Sequence, residues 1–197
     1  MALKFHYNKT TIQRFKRQLS IREKALPILK NKETALRLKV EKLMHELSEV
    51  EEQIKKLDGK MTHFNAFWNE FPEILQIGDL EVFQKRVIGV KIPEIRPVKF
   101  KVADVSWWNL PAWVPSGIEL MKETIKIELK KDILQKQINL LDLARKKTTQ
   151  KVNLYEKVQI PEYESAILKI KRFLEDKENI SKAAQKIMKN RKERRVT

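Results

Sequence analysis

The chain has 197 residues, a formal net charge of +16 at pH 7, only 4 glycines and no cysteine. The scarcity of glycine and the 35% of charged residues favour long solvated helices over a compact α/β enzyme, and the lack of cysteine excludes disulfides and thiolate metal sites. No run of about 18 apolar residues occurs, and the first residues lack the apolar stretch of a signal peptide, so we expect an intracellular protein that is soluble or peripheral to something larger. The positive charge indicates an anionic partner, which could be nucleic acid, an acidic membrane surface or an acidic protein cavity.

The first segment, residues 1–71, is predicted to be one long coiled-coil helix that begins near residue 10. Residues of one helical stripe recur there in alternating steps of three and four, and from Leu36 onward all of them are apolar. A strict seven-residue repeat requires supercoiling around a partner, because the stripe of a straight helix drifts by about 20° per heptad. We call this stripe the seam; its members are Ile12, Phe15, Leu19, Arg22, Leu26, Leu29, Glu33, Leu36, Val40, Leu43, Leu47, Val50, Ile54, Leu57, Met61, Phe64, Trp68 and Phe71.

Three residues interrupt the first part of this helix. Proline removes a backbone donor and crowds the preceding turn, so Pro27 predicts a kink or the start of the helix. Arg22 and Glu33 are polar members of the seam. Such residues weaken the packing of a coiled coil but fix its register.

The second segment, residues 72–115, is predicted to be a β-hairpin followed by an aromatic loop. It contains two glycines and five of the seven prolines, and residues 87–92 and 98–102 are rich in β-branched residues. The stretch 98–102 alternates apolar and basic residues, as a half-buried strand does, so we expect these two stretches to form strands of one hairpin. The loop Trp107–Trp113 either provides a protein contact or covers the open end of the coiled coil.

The third segment, residues 116–197, is predicted to be a second long helix that ends in a basic tail. Pro115 and Ser116 ahead of Glu119 are typical of a helix start. Two long helices joined by a folded excursion can pair antiparallel within one chain, and about 60 residues would make a rod of roughly 90 Å. The fold class is therefore mainly α, with a long antiparallel two-helix coiled coil. The tail is either frayed or docks on an anionic partner; its charged residues include Lys182, Lys186, Lys189, Arg191, Lys192, Arg194 and Arg195.

The sequence gives little support for a catalytic site. His6, His45 and His63 lack the spacing of a metal site. The acid pairs Glu51–Glu52 and Glu175–Asp176 are sequence neighbours on helices and so diverge around the helix axis. The glycines are isolated, which is unlike a phosphate-binding loop. We therefore predict no catalytic, no cofactor-binding and no metal-binding residues.

Three stretches resemble the D subunit of the V-type and archaeal-type rotary ATPases. Residues 26–36 (LPILKNKETAL) look like that family's N-terminal helix signature, residues 151–161 (KVNLYEKVQIP) resemble its C-terminal stretch, and residues 88–93 (IGVKIP) are similar to its hairpin region. The three stretches occur in the family's order and together extend over most of the chain. The sequence departs from the family pattern at Ala25–Pro27, where a small residue or glycine usually precedes the paired aliphatics, and in the rich aromatic loop around Trp107.

The resemblance implies a non-catalytic central-stalk rotor. Family members thread an antiparallel coiled coil into a ring of A and B subunits, bind the F subunit at the side and meet the membrane rotor through the C subunit of the central stalk. They would place this chain in the cytoplasm, peripheral to the membrane within the ATPase complex. Nucleotide would then bind to the partner subunits, and the basic termini would lie within the hexamer.

Two other classes of protein also fit part of the sequence. A coiled coil that binds nucleic acid would explain the charge, and its affinity should fall steeply with salt. A homodimeric scaffold would explain the seam, and it should be a dimer in solution. The nucleic-acid-binding class does not explain the hairpin or the Ile160–Pro161 pair.

Overall fold

The computed structural model describes residues 5–62, 71–72, 74–104 and 110–196 of the chain. The order of elements is α1 (Lys9–Thr62), β1 (Leu75–Ile77), β2 (Val82–Val87), β3 (Val90–Ile95), β4 (Phe100–Val102), α2 (Val114–Leu154), a π-helical segment (Tyr155–Gln159) and α3 (Ile160–Val196). The protein is mainly helical and consists of a long antiparallel helix pair with short strands in the middle, which confirms the predicted fold class. None of the helices in the described residues has a stretch apolar and long enough to cross a bilayer.

The chain forms two compact units. One comprises the chain up to Asn31 together with the chain from Thr148 onward, and the other comprises Lys32–Lys147. Helices α1 and α2 contribute residues to both units.

In the first unit, α1 packs antiparallel against the π segment and α3. The Phe15 and Tyr163 rings lie 5.3 Å apart between centroids, and the Lys30 ammonium lies 2.6 Å from the Glu156 carboxylate. Residues later in α1 thus contact residues earlier in the partner segment, as antiparallel pairing requires. The buried core of this unit consists of Phe15, Ala166, Ile167 and Ile170.

In the second unit, the seam of α1 packs against α2 and strand β3. Leu36 and Leu141 are fully buried in this core, and Ile92 of β3 joins them. Apolar burial of this kind stabilises a helix pair by roughly 25 cal/mol per Å² removed from water. The remaining buried members are Val40, Leu43, Val50, Leu134 and Ile138.

The predicted seam is confirmed from Ile12 to Leu57. Every member from Ile12 to Leu57 is buried or half-buried, including the polar Arg22 and Glu33. Phe71 is half-buried but lies in irregular chain beyond α1, so it is not a member of this helix. The predicted seam members Met61, Phe64 and Trp68 lie outside the described side chains.

Pro27 lies inside α1, so the expectation that the helix could start there was wrong. A proline within a helix lacks the N–H that would bond to the carbonyl four residues earlier, here that of Glu23. The helix nonetheless continues through Pro27 to Thr62 and is 54 residues long in all. Side-chain packing on both sides of Pro27, from Phe15 to Leu36, provides the stabilisation that local propensity lacks.

The strands form two separate antiparallel pairs, and the hairpin prediction had the wrong partners. Strand β2 pairs with β3, while the short strands β1 and β4 pair with each other. The stretch 87–92 is therefore not one strand. It contains the turn Ile88–Gly89, which joins Val87 to its partner Val90.

Backbone conformation at the turn explains this difference. Ile88 and Gly89 have φ values of 50° and 79°, and two consecutive positive φ values define the type I′ turn of two-residue hairpins. Glycine adopts this conformation easily, whereas a β-branched residue rarely does. Ile88 is held there because its side chain packs against the core of the second unit.

The second long helical segment begins with α2 at Val114, two residues before the predicted boundary, with Pro115 in the first turn, where its missing N–H costs nothing. A π segment, Tyr155–Gln159, interrupts it, and the Ile160 N–H bonds to the Tyr155 carbonyl five residues earlier. The ring of Pro161 would clash with the carbonyl of Lys157 in a regular helix. The wider π turn just before Pro161 avoids that clash.

Candidate partner-binding surfaces

The described residues hold no cluster of three or more His, Asp or Glu side chains that could bind a metal ion. His45 lies on the exposed face of α1, where its Nδ1 is 3.2 Å from a carboxylate oxygen of Glu49. His6 is exposed near the chain start, and His63 lies outside the described residues. The absence of catalytic residues stays a prediction, and the surfaces that follow are suited to binding rather than chemistry.

A groove lies between the helix pair and the β2–β3 hairpin of the second unit. Its volume is about 770 Å³. Apolar side chains such as Leu43, Ile92 and Ile133 line it. The groove is also lined by the two carboxylates of Glu46 and Glu94 and by five cationic side chains. These cations are Lys39, Lys85, Arg96, Lys126 and Lys130. The groove therefore presents apolar surface within a positive rim.

A buried polar side chain also holds the hairpin beside this groove. Gln137 of α2 is 8% exposed, and its Nε2 donates a hydrogen bond of 2.6 Å to the carbonyl of Pro93. This role was not predicted from the sequence. The available signal was a polar residue directly before Ile138 on the buried stripe of α2.

We expect Gln137→Leu to destabilise the chain by about 1–3 kcal/mol, because it leaves the Pro93 carbonyl without its donor while keeping a similar side-chain volume. Amide hydrogen exchange in β2 and β3 should accelerate more than exchange in α1. The matched control is Gln135→Leu on the exposed face of the same helix, which should change stability by less than about 0.5 kcal/mol. Equal effects of the two changes would contradict the assigned role of Gln137.

The first unit contains a polar layer formed by Arg22, Gln18 and Gln159. The Arg22 Nε donates to the Gln159 side-chain oxygen at 2.6 Å, and its Nη1 donates to the backbone and side-chain oxygens of Gln18. The guanidinium carbon also lies 4.7 Å from the centroid of the Tyr163 ring and 5.7 Å from that of Tyr155. Amide oxygens and ring faces thus stabilise this cation, and no carboxylate is among these contacts.

Residues 175–192 of α3, which we call the C-terminal arm, are exposed without exception. Its large apolar side chains include Ile180, which is 70% exposed, and Met188, which is 63% exposed. The Lys182 ammonium lies 3.0 Å from the Glu178 carboxylate, and its hydrogen bond lowers the pKa of Glu178. The arm therefore combines apolar residues with a net positive charge, as expected of a surface that a partner covers.

The aromatic loop is only partly described. Trp113 is half-buried and lies against Phe71, with 6.0 Å between ring centroids. Both pack on the third buried cluster, which consists of Ile74, Val114 and Ile118. Trp113 thus covers the start of α2, whereas Trp107 and Trp108 lie outside the described residues.

Comparison with known proteins gives one consistent result. The family model for the D subunit of ATP synthase matches residues 11–190. The V-type ATP synthase D subunit of Borreliella burgdorferi is 29% identical over 192 residues, which is 95% of this chain and 94% of the relative. Proteins of the same name from Chlamydia muridarum and Chlamydia caviae are 25% and 26% identical, with 90% and 98% of both chains covered.

Proposed function

Because the chain belongs to the ATP synthase D subunit family, we propose that it is the non-catalytic central rotor shaft of a V-type rotary ATPase. It would couple ATP hydrolysis or synthesis in a hexamer of A and B subunits to ion translocation in the membrane. The observation that carries this proposal is the pairing of the seam within one chain. In each unit the apolar stripe of α1 is covered by later residues of the same polypeptide.

Intramolecular pairing favours a shaft over the two alternatives. A homodimeric scaffold needs an apolar seam that a second copy can cover, but Leu36, Val50 and Phe15 are already less than 5% exposed. A nucleic-acid-binding coiled coil needs a basic surface but no hairpin packed on the helix pair. Ile92 of the hairpin packs against α1 and α2, and this packing supports the interpretation that the surface binds protein partners.

A shaft can drive its partners only through contacts that differ with its angle. A rotating element changes the state of a subunit by its differential affinity for the open and closed states of that subunit. The two units of this chain carry different surfaces. The hairpin and groove belong to the second unit, whereas the exposed basic arm belongs to the first.

Each partner that the resemblance implies needs a surface on this chain. We assign the C-terminal arm to the interior of the AB hexamer, where its cations would face acidic lining residues. The F subunit would bind at the side of the helix pair, and the C subunit would link the shaft to the membrane rotor. The chain would accordingly act in the cytoplasm, peripheral to the membrane, and would bind no nucleotide or metal of its own.

A rotation assay tests the proposal directly. The chain lacks cysteine, so Asp79→Cys in the exposed loop before β2 creates one attachment site for a gold particle. With the AB hexamer fixed to glass, we expect ATP to drive unidirectional rotation of the particle with three dwells per turn. The control is the same particle attached to the hexamer itself. Failure of the purified chain to form a stable complex with the hexamer, or a complex that hydrolyses ATP without rotation, would contradict the proposal.

A further inference from the structure

We propose that strand β2 is a docking edge, to which a protein partner adds an extended strand that carries an acidic side chain beside Arg86. This inference rests on the proposed function, because the partner is taken to be another subunit of the same complex. It concerns the β2–β3 hairpin alone, and each step follows from the register of that hairpin.

The hydrogen-bond pattern of the hairpin shows which backbone groups of β2 are used. In an antiparallel pair, residues alternate between those that bond to the opposite strand and those whose N–H and C=O point away from it. The Arg96 N–H donates to the Glu81 carbonyl at 3.1 Å, which makes Glu81 and Arg96 a bonded pair. By alternation Val82, Gln84 and Arg86 direct their backbone groups away from β3.

The opposite edge of the hairpin is blocked, whereas the edge of β2 is free. On β3 the central outward position is Pro93, which has no N–H and whose carbonyl accepts the Gln137 hydrogen bond. On β2 every residue from Val82 to Arg86 is exposed. Within the described residues, no backbone group pairs with the outward N–H groups of Gln84 and Arg86.

Natural proteins protect free edges, because an unpaired strand recruits other strands. Apolar residues on this edge make the protection weak, since Val82 is 53% exposed and Phe83 is 40% exposed. The edge is also six residues long, which is enough for several ladder bonds. Strand addition to such an edge is a common mode of peptide recognition, with affinity from the main chain and specificity from alternate side chains.

Charge indicates the chemistry of the added strand. Arg86 lies directly opposite Lys91 in the hairpin, and like charges in that position are destabilising. Within the described chain neither cation has an acidic partner, whereas the neighbouring Lys85 pairs with Glu94 at 3.2 Å and Arg96 pairs with Glu81. A carboxylate of the added strand beside Arg86 would relieve this repulsion. An aliphatic residue of the same strand would cover the exposed side chain of Val82. A second copy of β2 would instead add cations to this edge, so we assign the edge to an acidic strand of another subunit.

The test is amide hydrogen exchange of the chain alone and within the purified ATPase complex. We expect the amides of Gln84 and Arg86 to exchange about tenfold or more slowly in the complex, because each outward N–H gains a hydrogen bond there. Gln84→Pro removes the outward N–H of position 84, opposite Pro93, so it should abolish the protection of the remaining Arg86 amide. The matched control Gln84→Ala keeps the N–H and should retain the protection.

Arg86→Glu is a second variant that leaves the backbone unchanged and should also reduce the protection. Equal exchange of these amides in the free chain and the complex would overturn the inference while the proposed function stands. Protection that appears in the isolated chain as its concentration rises would overturn it in favour of self-association. If the chain fails to join the complex at all, the proposed function fails first.

Discussion

Leu141→Ala should lower the free energy of unfolding by about 2–5 kcal/mol, whereas Leu143→Ala should change it by less than about 0.5 kcal/mol. The two leucines lie two residues apart on α2, so the loss of side-chain atoms and the change in helix propensity are the same. Leu141 is fully buried in the core of the second unit, and Leu143 is 54% exposed. The difference between the two free energies therefore measures how much the packing of α2 against the seam of α1 stabilises the chain.

Urea denaturation, monitored by circular dichroism at 222 nm, checks this prediction. The Leu141→Ala cavity opens against α1, since Leu36 and Val40 belong to the same buried cluster. A narrow two-helix core has few neighbouring side chains that can collapse into such a cavity, so we expect a value in the upper part of the range. If Leu143→Ala proved as costly as Leu141→Ala, the assigned faces of α2 would be wrong.

A chain that ends at Leu174 should fold as stably as the full chain but fail to support ATP-driven rotation. Residues 175–192 are exposed throughout, so their removal exposes almost no apolar surface and should leave the urea midpoint unchanged. On the proposed function, the same residues carry the positive charge that meets the hexamer lining. Loss of this charge should slow association with the hexamer by about 10- to 1,000-fold at low salt.

Separate readouts distinguish the two halves of this prediction. Stability is measured by denaturation of the isolated chain, and association by stopped-flow mixing with the hexamer at two salt concentrations. The matched control replaces Lys182, Lys186 and Lys189 by glutamine, which keeps the length of the helix while removing three charges. This control should show the slower association but retain more rotation than the truncation. A truncated chain that rotates normally would exclude the arm from torque transmission.

The helices were predictable from sequence, because their stability depends on a periodic pattern. Burial of the seam from Ile12 to Leu57 follows from alternating steps of three and four, which nothing but a paired helix sustains. Pro27 shows the limit of local rules. Its cost is fixed by the backbone, but packing on both sides outweighs it, and packing is not visible in one residue.

Strand pairing was not predictable in the same way. The β-branched run 87–92 is typical of one strand unless Ile88 is allowed a positive φ, which isoleucine adopts only when tertiary contacts hold it there. Likewise, the partner of Gln137 is a carbonyl 44 positions away, and no sequence spacing predicts such a contact. The π segment, by contrast, has a local cause in Pro161 that could have been recognised.

The polar layer around Arg22 has a consequence for mechanical work. Aliphatic side chains between two packed helices can exchange one apolar neighbour for another with little loss of free energy. They therefore give little resistance to axial sliding of one helix along the other. If α3 slid along α1 by one turn, about 5.4 Å, the guanidinium would lose the oxygen of Gln159 and the ring of Tyr163 together. The hydrogen bonds to Gln18 lie within α1 and would remain, so the cost of the slide is that of the lost contacts, about 1–3 kcal/mol for the hydrogen bond to Gln159. On the proposed function, Arg22 would resist sliding of α3 along α1, so that an applied twist would turn the two helices together.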